Sequence, residues 1–192
     1  MRALWFETPL GSMVAVGNAQ ALRGLHFGGA RHLPDLAACE EGRDCLLLRR
    51  VRLQVTEYFE GRRTVFDIPL EAPGTPLQHA VWHELGAIAT GSTLSYAELA
   101  ARVGRPRAVR AVAQAVGRNP WTLIRPCHRV IGSNGSLTGF AGGLERKAAL
   151  LAHEARLARA SATARPAAES DRPKGCDVTP MRAASRPASS GL

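Results

Sequence analysis

Residues 95–117 read Ser95-Tyr96-Ala97-Glu98-Leu99-Ala100-Ala101-Arg102-Val103-Gly104-Arg105-Pro106-Arg107-Ala108-Val109-Arg110-Ala111-Val112-Ala113-Gln114-Ala115-Val116-Gly117. Ser95 three residues before Glu98 is the pattern of a capping box, so a short helix starts here and stops at Gly104. Pro106 is expected to open the next helix, which ends near Gly117. Two short helices around a glycine-containing turn predict a helix-turn-helix. On the second helix, Val109, Val112 and Val116 share one face, while Arg107, Arg110, Gln114 and Arg118 lie opposite. Ala108, Ala111, Ala113 and Ala115 fill the remainder. The valine face packs inward. The outer face is basic but otherwise short-chained, so a nucleic-acid groove can approach its backbone. A plain surface helix carrying arginine is the alternative that this stretch alone leaves open.

Charge supports the first reading without deciding it. The chain has 192 residues and a formal net charge of +9. Residues 1–70 hold nine basic and eight acidic side chains, whereas residues 71–159 hold eleven and five. From Glu98 to Glu145 there is no carboxylate between, but seven arginines: 102, 105, 107, 110, 118, 125 and 129. Such a stretch reads as a surface facing phosphate, or as an ordinary solvated face.

Working outward, Thr75-Pro76 supplies an N-cap followed by proline at the first helical position, for a helix reaching about Ile88. Its apolar stripe is Leu77, Val81, Leu85 and Ile88. His79 and His83 fall on the other face without a third ligand, so no metal site is expected there. Glu71-Ala72-Pro73-Gly74 reads as a linker. Before it, β-like runs occur at Ala3–Phe6, Met13–Val16 and Leu22–Phe27. Leu47, Val51, Val55 and Phe59 then recur every four residues, which predicts an amphipathic helix stopped near Gly61. Val65–Ile68 is a candidate returning strand. Nothing in residues 1–70 proposes chemistry, and this half reads as scaffold.

After Asn119-Pro120, the apolar run Trp121–Ile124 predicts a short buried strand leading into Arg125-Pro126-Cys127-His128-Arg129. A thiol beside histidine at a strand end proposes a nucleophile. On an extended backbone the two side chains point to opposite sides. Either the chain turns there, or a water connects them. Ser133-Asn134-Gly135-Ser136 is a hairpin-type turn, and Leu144–Leu157 a last helix. From Ala160 onward, Ala, Ser, Pro and Arg dominate without periodicity, which predicts a disordered tail containing Cys176. The four cysteines, Cys39, Cys45, Cys127 and Cys176, lack metal spacing and a disulfide framework, which fits a reducing cytoplasm. No apolar run is long enough for a membrane span or a signal peptide.

The run Ile124-Arg125-Pro126-Cys127-His128-Arg129-Val130-Ile131 resembles the active-site signature of the O6-alkylguanine-DNA alkyltransferases. The likeness extends over residues 75–154, through Gly74-Thr75-Pro76-Leu77-Gln78, Val81-Trp82, Leu94–Ala100, Arg110-Ala111-Val112, Arg118-Asn119-Pro120 and Gly142-Gly143-Leu144, in order and at family spacing. The first 70 residues resemble the family's N-terminal domain loosely. The resemblance implies an α+β protein. A small ribonuclease-H-like α/β domain (1–70) precedes a mainly helical alkyltransferase and DNA-binding domain (75–159), and the disordered tail (160–192) follows.

It also implies roles. Cys127 matches the alkyl acceptor, His128 the base acting through a water, Glu154 the carboxylate that orients it, and Asn119 the brace of the turn. Arg110 matches the finger that replaces a flipped base. Tyr96 matches the residue that pushes the phosphate and polarises guanine. Phe140, Ala141 and Gly142 match the base-pocket loop. Ser133 is expected to meet the nucleic-acid backbone, and Ala108 and Ala113 lie on the groove-facing helix. The implied activity is single-turnover transfer of an alkyl group from O6-alkylguanine in double-stranded DNA to Cys127. O4-alkylthymine is left open as a second substrate. The implied protein is a monomer with no cofactor, metal or membrane partner, cytoplasmic with the chromosomal DNA. Four positions depart from the pattern: Phe140 for tyrosine, Ala113 for glycine, Leu77 for phenylalanine and Ala89 for proline. A non-catalytic helix-turn-helix damage sensor and a Cys127–His128 hydrolase are the competing readings.

Overall fold

The computed structural model describes residues 1–163. Expectations for the tail beyond them, including Cys176, lie outside the described residues. Strands β1 (Arg2–Phe6), β2 (Met13–Gly17) and β3 (Leu22–Phe27) form an antiparallel meander, and β4 (Glu40–Glu41) adds in parallel to β1, giving the order β3-β2-β1-β4. The short β4 has no hydrophobic alternation and was not legible beforehand. Val65–Ile68 is not a strand. Pro69 has no N–H to donate, and pairing here is confined to one bridge between Leu22 and Leu70.

Helix α1 (Leu46–Phe59) packs on this sheet through Leu47, Leu48, Val51 and Val55. Its stripe ends differently from expectation: Tyr58 is fully buried, whereas Phe59 is half-buried. Helix α2 (Pro76–Gly86) has the expected Thr75 cap, closed as a full capping box by Gln78. Then follow β5 (Leu94–Ser95), α3 (Tyr96–Arg102) and α4 (Val109–Gly117). The Ser95–Glu98 capping box forms as expected, and Gly104 ends the helix region with a φ of 69° that glycine adopts without steric cost. Pro106 does not open α4. Ala108 N–H donates to Arg105 at 2.8 Å, so Pro106 sits inside a turn, where its fixed φ also fits. The helix starts three residues later.

A second correction concerns Trp121–Ile124, which is a turn and not a strand. Only Trp121 bridges to Leu25. Beyond it, a 3-10 turn spans Cys127–Arg129 and leads into β6 (Val130–Ile131), which pairs in parallel with β5. The last helix, α5 (Leu144–Thr163), continues past Leu157.

The two halves share one hydrophobic core. Trp82 and Trp121 meet edge to face at 5.5 Å. Trp82 Nε1 donates to Ala115 O and Trp121 Nε1 to Leu22 O, each at 2.9 Å. A chain of satisfied indoles therefore links the sheet to the helix-turn-helix, with each polar handle partnered as burial requires. Among the described residues no helix is long and apolar enough to cross a membrane. The Ser95 cap has a testable worth. Ser95→Ala removes the acceptor for Glu98 N–H, and denaturant unfolding should show a loss of about 1 kcal/mol. An unchanged midpoint would mean that tertiary packing alone holds α3.

Candidate active site

The site begins at Asn119. Its Nδ2 donates to Arg125 O at 2.7 Å and to Trp121 O at 3.4 Å, while its Oδ1 accepts from Trp121 N–H at 3.1 Å. One buried amide thus laces residues 119–125 into a loop. Within it, Leu123 has a φ of 73°, the sole positive-φ non-glycine among the described residues. A leucine rarely adopts this geometry and needs its surroundings to enforce it. The reversal brings Pro126 to the start of the 3-10 turn. Cys127 and His128 therefore do not lie on an extended strand, and the chain turns at this point.

Cys127 and His128 are both buried. Burial pushes the Cys127 thiol up, against a hydrogen bond from Asn119, the positive charge of Lys147 and nearby backbone N–H groups. His128 is held neutral chiefly by burial, which outweighs the attraction of Glu154. His128 Nε2 lies 2.9 Å from Glu154 Oε1, and its Nδ1 is buried without a protein partner. With the carboxylate ionised, Nε2 carries the proton and Nδ1 presents a lone pair. Burial works against ionisation of Glu154, but hydrogen bonds and charge from His128 and Arg129 hold it well below the usual carboxylate range. Arg129 grips both oxygens at 2.7 Å, and also donates to Ile88 O and to Thr90 Oγ1.

This overturns part of the charge reading. Arg129 is buried and structural, and Arg125 is half-buried. Arg102, Arg105, Arg107, Arg110 and Arg118 remain exposed.

A groove of about 1360 Å³ lies beside the turn. Tyr96, Arg110, Ala113, Phe140 and Ala141 all line it, together with Arg107 and Arg118. Tyr96 Oη donates to Thr138 O at 3.2 Å and lies 3.3 Å from Gly139 O, and burial raises this phenol. Phe140 stands edge-on to His128 at 6.5 Å. Gly142 lies behind the loop, where an added Cβ would come within 3.0 Å of both Phe140 and Phe27. Ala108 is the half-buried N-cap of α4, and Ser133 is exposed on its turn; neither lines the groove. His79 and His83 are exposed, and no group of three possible metal ligands occurs among the described residues.

Three features were missed in the sequence. Arg31 and His32 reach the groove from the N-terminal half. Lys147 is fully buried, donating to Val130 O at 2.5 Å and Thr138 O at 2.6 Å, which ties the pocket loop to β6. Tyr58 Oη donates to Glu154 Oε1 at 2.9 Å from across the molecule. None has a local signal, since each depends on a contact distant in sequence.

Comparison with known proteins covers both halves. Residues 1–72 match the model of the 6-O-methylguanine DNA methyltransferase ribonuclease-like domain, and residues 76–156 that of the DNA-binding domain. The inducible methylated-DNA–protein-cysteine methyltransferase of Bacillus subtilis is 43% identical over 148 residues, spanning 72% of this chain and 83% of its own. The corresponding protein of Methanosarcina barkeri is 42% identical, over 76% of this chain and 91% of its own. The Mycobacterium tuberculosis OGT solved in complex with DNA superposes with a TM-score of 0.75 at 36% identity, covering 82% of this chain and 94% of that one.

The Glu154 cluster sets two expectations. Because its folded carboxyl lies below the ordinary value, its stabilisation is present above about pH 4.3 and is lost as pH falls toward the folded value. His128 acts in the same sense from higher pH. The unfolded chain takes up a proton near pH 6.5 that the folded chain refuses, so stability declines on acidification from there. Glu154→Gln leaves Arg129 buried without a counter-charge. At pH 7 it should cost about 3 kcal/mol or more in denaturant unfolding. A variant as stable as the parent would contradict the ion-pair account.

Proposed function

The chain belongs to the 6-O-methylguanine DNA methyltransferase family, and from that premise we propose that it repairs alkylated DNA by moving the alkyl group from O6 of guanine to Cys127 Sγ, once per molecule. The observation that carries this reading is a buried thiol followed by a histidine whose Nε2 is tied to Glu154 and whose Nδ1 is left free. In this reading residues 1–70 are the N-terminal domain and residues 75–159 the alkyltransferase domain. The protein acts as a monomer in the cytoplasm, with the chromosomal DNA.

The target carbon lies inside a duplex, so the nucleotide must be extruded. The exposed arginines meet phosphate. The short side chains of α4 let the minor groove come close, and Arg110 fills the gap in the stack. The extruded base enters beside Tyr96, Phe140 and Ala141. His128 Nδ1 accepts the thiol proton, through a water in the role that the family assigns it. The thiolate attacks the alkyl carbon opposite O6. The S–C bond forms as the C–O bond breaks, and the electron pair stays on guanine, which then takes up a proton. Tyr96, held protonated by its burial, stands as the nearby donor while that charge develops. The thioether product has no leaving group, so there is no second turnover. Phe140, in place of tyrosine, takes one hydroxyl from the pocket. The methyl of Ala113, in place of glycine, stands on the face offered to DNA.

Two variants test the assignment. Cys127→Ser should bind duplex DNA and transfer nothing. Arg110→Ala should slow transfer tenfold or more on a duplex, even at saturating protein, because extrusion costs a few kcal/mol and loses its support. Its defect should shrink on a free O6-alkylguanine base, which needs no flipping. Equal defects on both substrates would remove the finger role.

A further inference from the structure

We propose that Tyr58, carried on α1 of the N-terminal half, is a positioning residue of the Cys127–His128–Glu154 relay, so that the supposed scaffold completes the reactive centre. The inference rests on the alkyl-transfer reading of that site. Glu154 Oε1 accepts from Tyr58 Oη at 2.9 Å, from His128 Nε2 at 2.9 Å and from Arg129 Nη2 at 2.7 Å. Glu154 Oε2 takes Arg129 Nε at 2.7 Å and Gly91 N–H at 3.4 Å. A carboxylate oxygen offers about two lone-pair directions, so three donors share Oε1 and each limits the others. The tyrosine hydroxyl therefore governs how strongly, and along which line, the carboxylate holds the imidazole.

Packing alone does not account for the hydroxyl. The ring meets Phe59 at 5.3 Å, Phe66 at 5.7 Å and His153 at 5.1 Å, and phenylalanine would fill that space equally well. A phenol oxygen in a fully buried position is costly unless it is hydrogen-bonded, and Tyr58 Oη donates to Glu154. Burial, and then the Glu154 charge, raise this phenol far above its ordinary range, so it remains a donor at every working pH. With Tyr58 donating and Arg129 permanently charged, the remaining donor to Oε1 is the proton on His128 Nε2. That fixes the tautomer that leaves Nδ1 as the base.

The ionisable groups around this cluster come from two other elements. The 3-10 turn brings Cys127, His128 and Arg129, and α5 brings Lys147, His153 and Glu154. Lys147 donates to backbone carbonyls, and His153 meets Tyr58 O at 2.9 Å. On α1, Glu57 is engaged with Arg62 and Arg63. Removing the Tyr58 hydroxyl would leave more charge on Oε1 for the imidazole. The imidazolium form would gain, so His128 would lose its proton at higher pH.

The test uses the full chain. Tyr58→Phe is compared with the parent by the rate at which iodoacetamide labels Cys127 across pH, read by mass spectrometry, with thermal melting alongside. The acidic limb of the profile should move to higher pH, following the higher pH at which His128 would lose its proton. A ring-fluorinated tyrosine at position 58, a stronger donor, should move the limb to lower pH, and it keeps the ring and hydroxyl if the phenylalanine variant folds poorly. Profiles that superimpose on the parent, whatever the melting temperature does, would overturn the proposal and leave Tyr58 as packing. Labelling involves no DNA. A parent chain that labels as described yet removes no alkyl group from DNA would count against the repair reading alone, and the profiles would still decide the role of Tyr58.

Discussion

A single buried carboxylate organises this molecule. Glu154 has no exposure to water, and an ionised carboxylate in that position must have every lone pair answered. The answers come from four residues in three places: Tyr58 on α1, Gly91 before β5, and His128 and Arg129 on the 3-10 turn. Each donor pins its own element to α5. Gly91 adds a steric term, because an added Cβ would lie 2.6 Å from Ala158 Cβ. Position of the turn, tautomer of the imidazole and docking of the N-terminal half thus follow from one electrostatic requirement.

The reactive thiol sits beside this cluster in an apolar core. Burial disfavours the thiolate, and the countervailing groups are few: the Asn119 amide, the Lys147 ammonium and neighbouring N–H groups. The resting thiol is therefore protonated and protected, and it becomes a nucleophile when a base accepts its proton. A protein used once gains from that arrangement, since adventitious oxidation or alkylation would waste the molecule. The strained Leu123 backbone belongs to the same logic, because the turn it permits is what places Cys127 and His128 on one short helical turn.

Much of this was legible in the sequence wherever the cause was local. Ser95 with Glu98, Thr75 with Pro76, and the short β-like runs of the first three strands each specify their element within a few residues. Cys127 beside His128, inside a long ordered resemblance, marked the reactive pair. The failures have one physical origin. Pro106 fits a helix start and a turn equally well, and the Arg105–Ala108 hydrogen bond decides between them. Trp121–Ile124 has strand composition, but the Asn119 side chain captures its backbone. Arg129 read as a surface charge and Lys147 went unnoticed, because their partners lie far off in the chain. Tyr58 drew no reading at all, since its partner is 96 residues away. Arg31 and His32 sit in a loop without periodicity, and only the fold carries them to the groove.

The central claim is that Cys127 accepts an alkyl group from guanine in DNA and keeps it. The most direct measurement incubates the chain with excess duplex carrying one O6-methylguanine, then determines intact mass and maps the modified peptide. The account predicts one added methyl per chain, located on Cys127, with an equal amount of guanine restored and no further repair by the modified protein. An unmodified chain, a methyl on another residue, or repair continuing beyond one equivalent would contradict it.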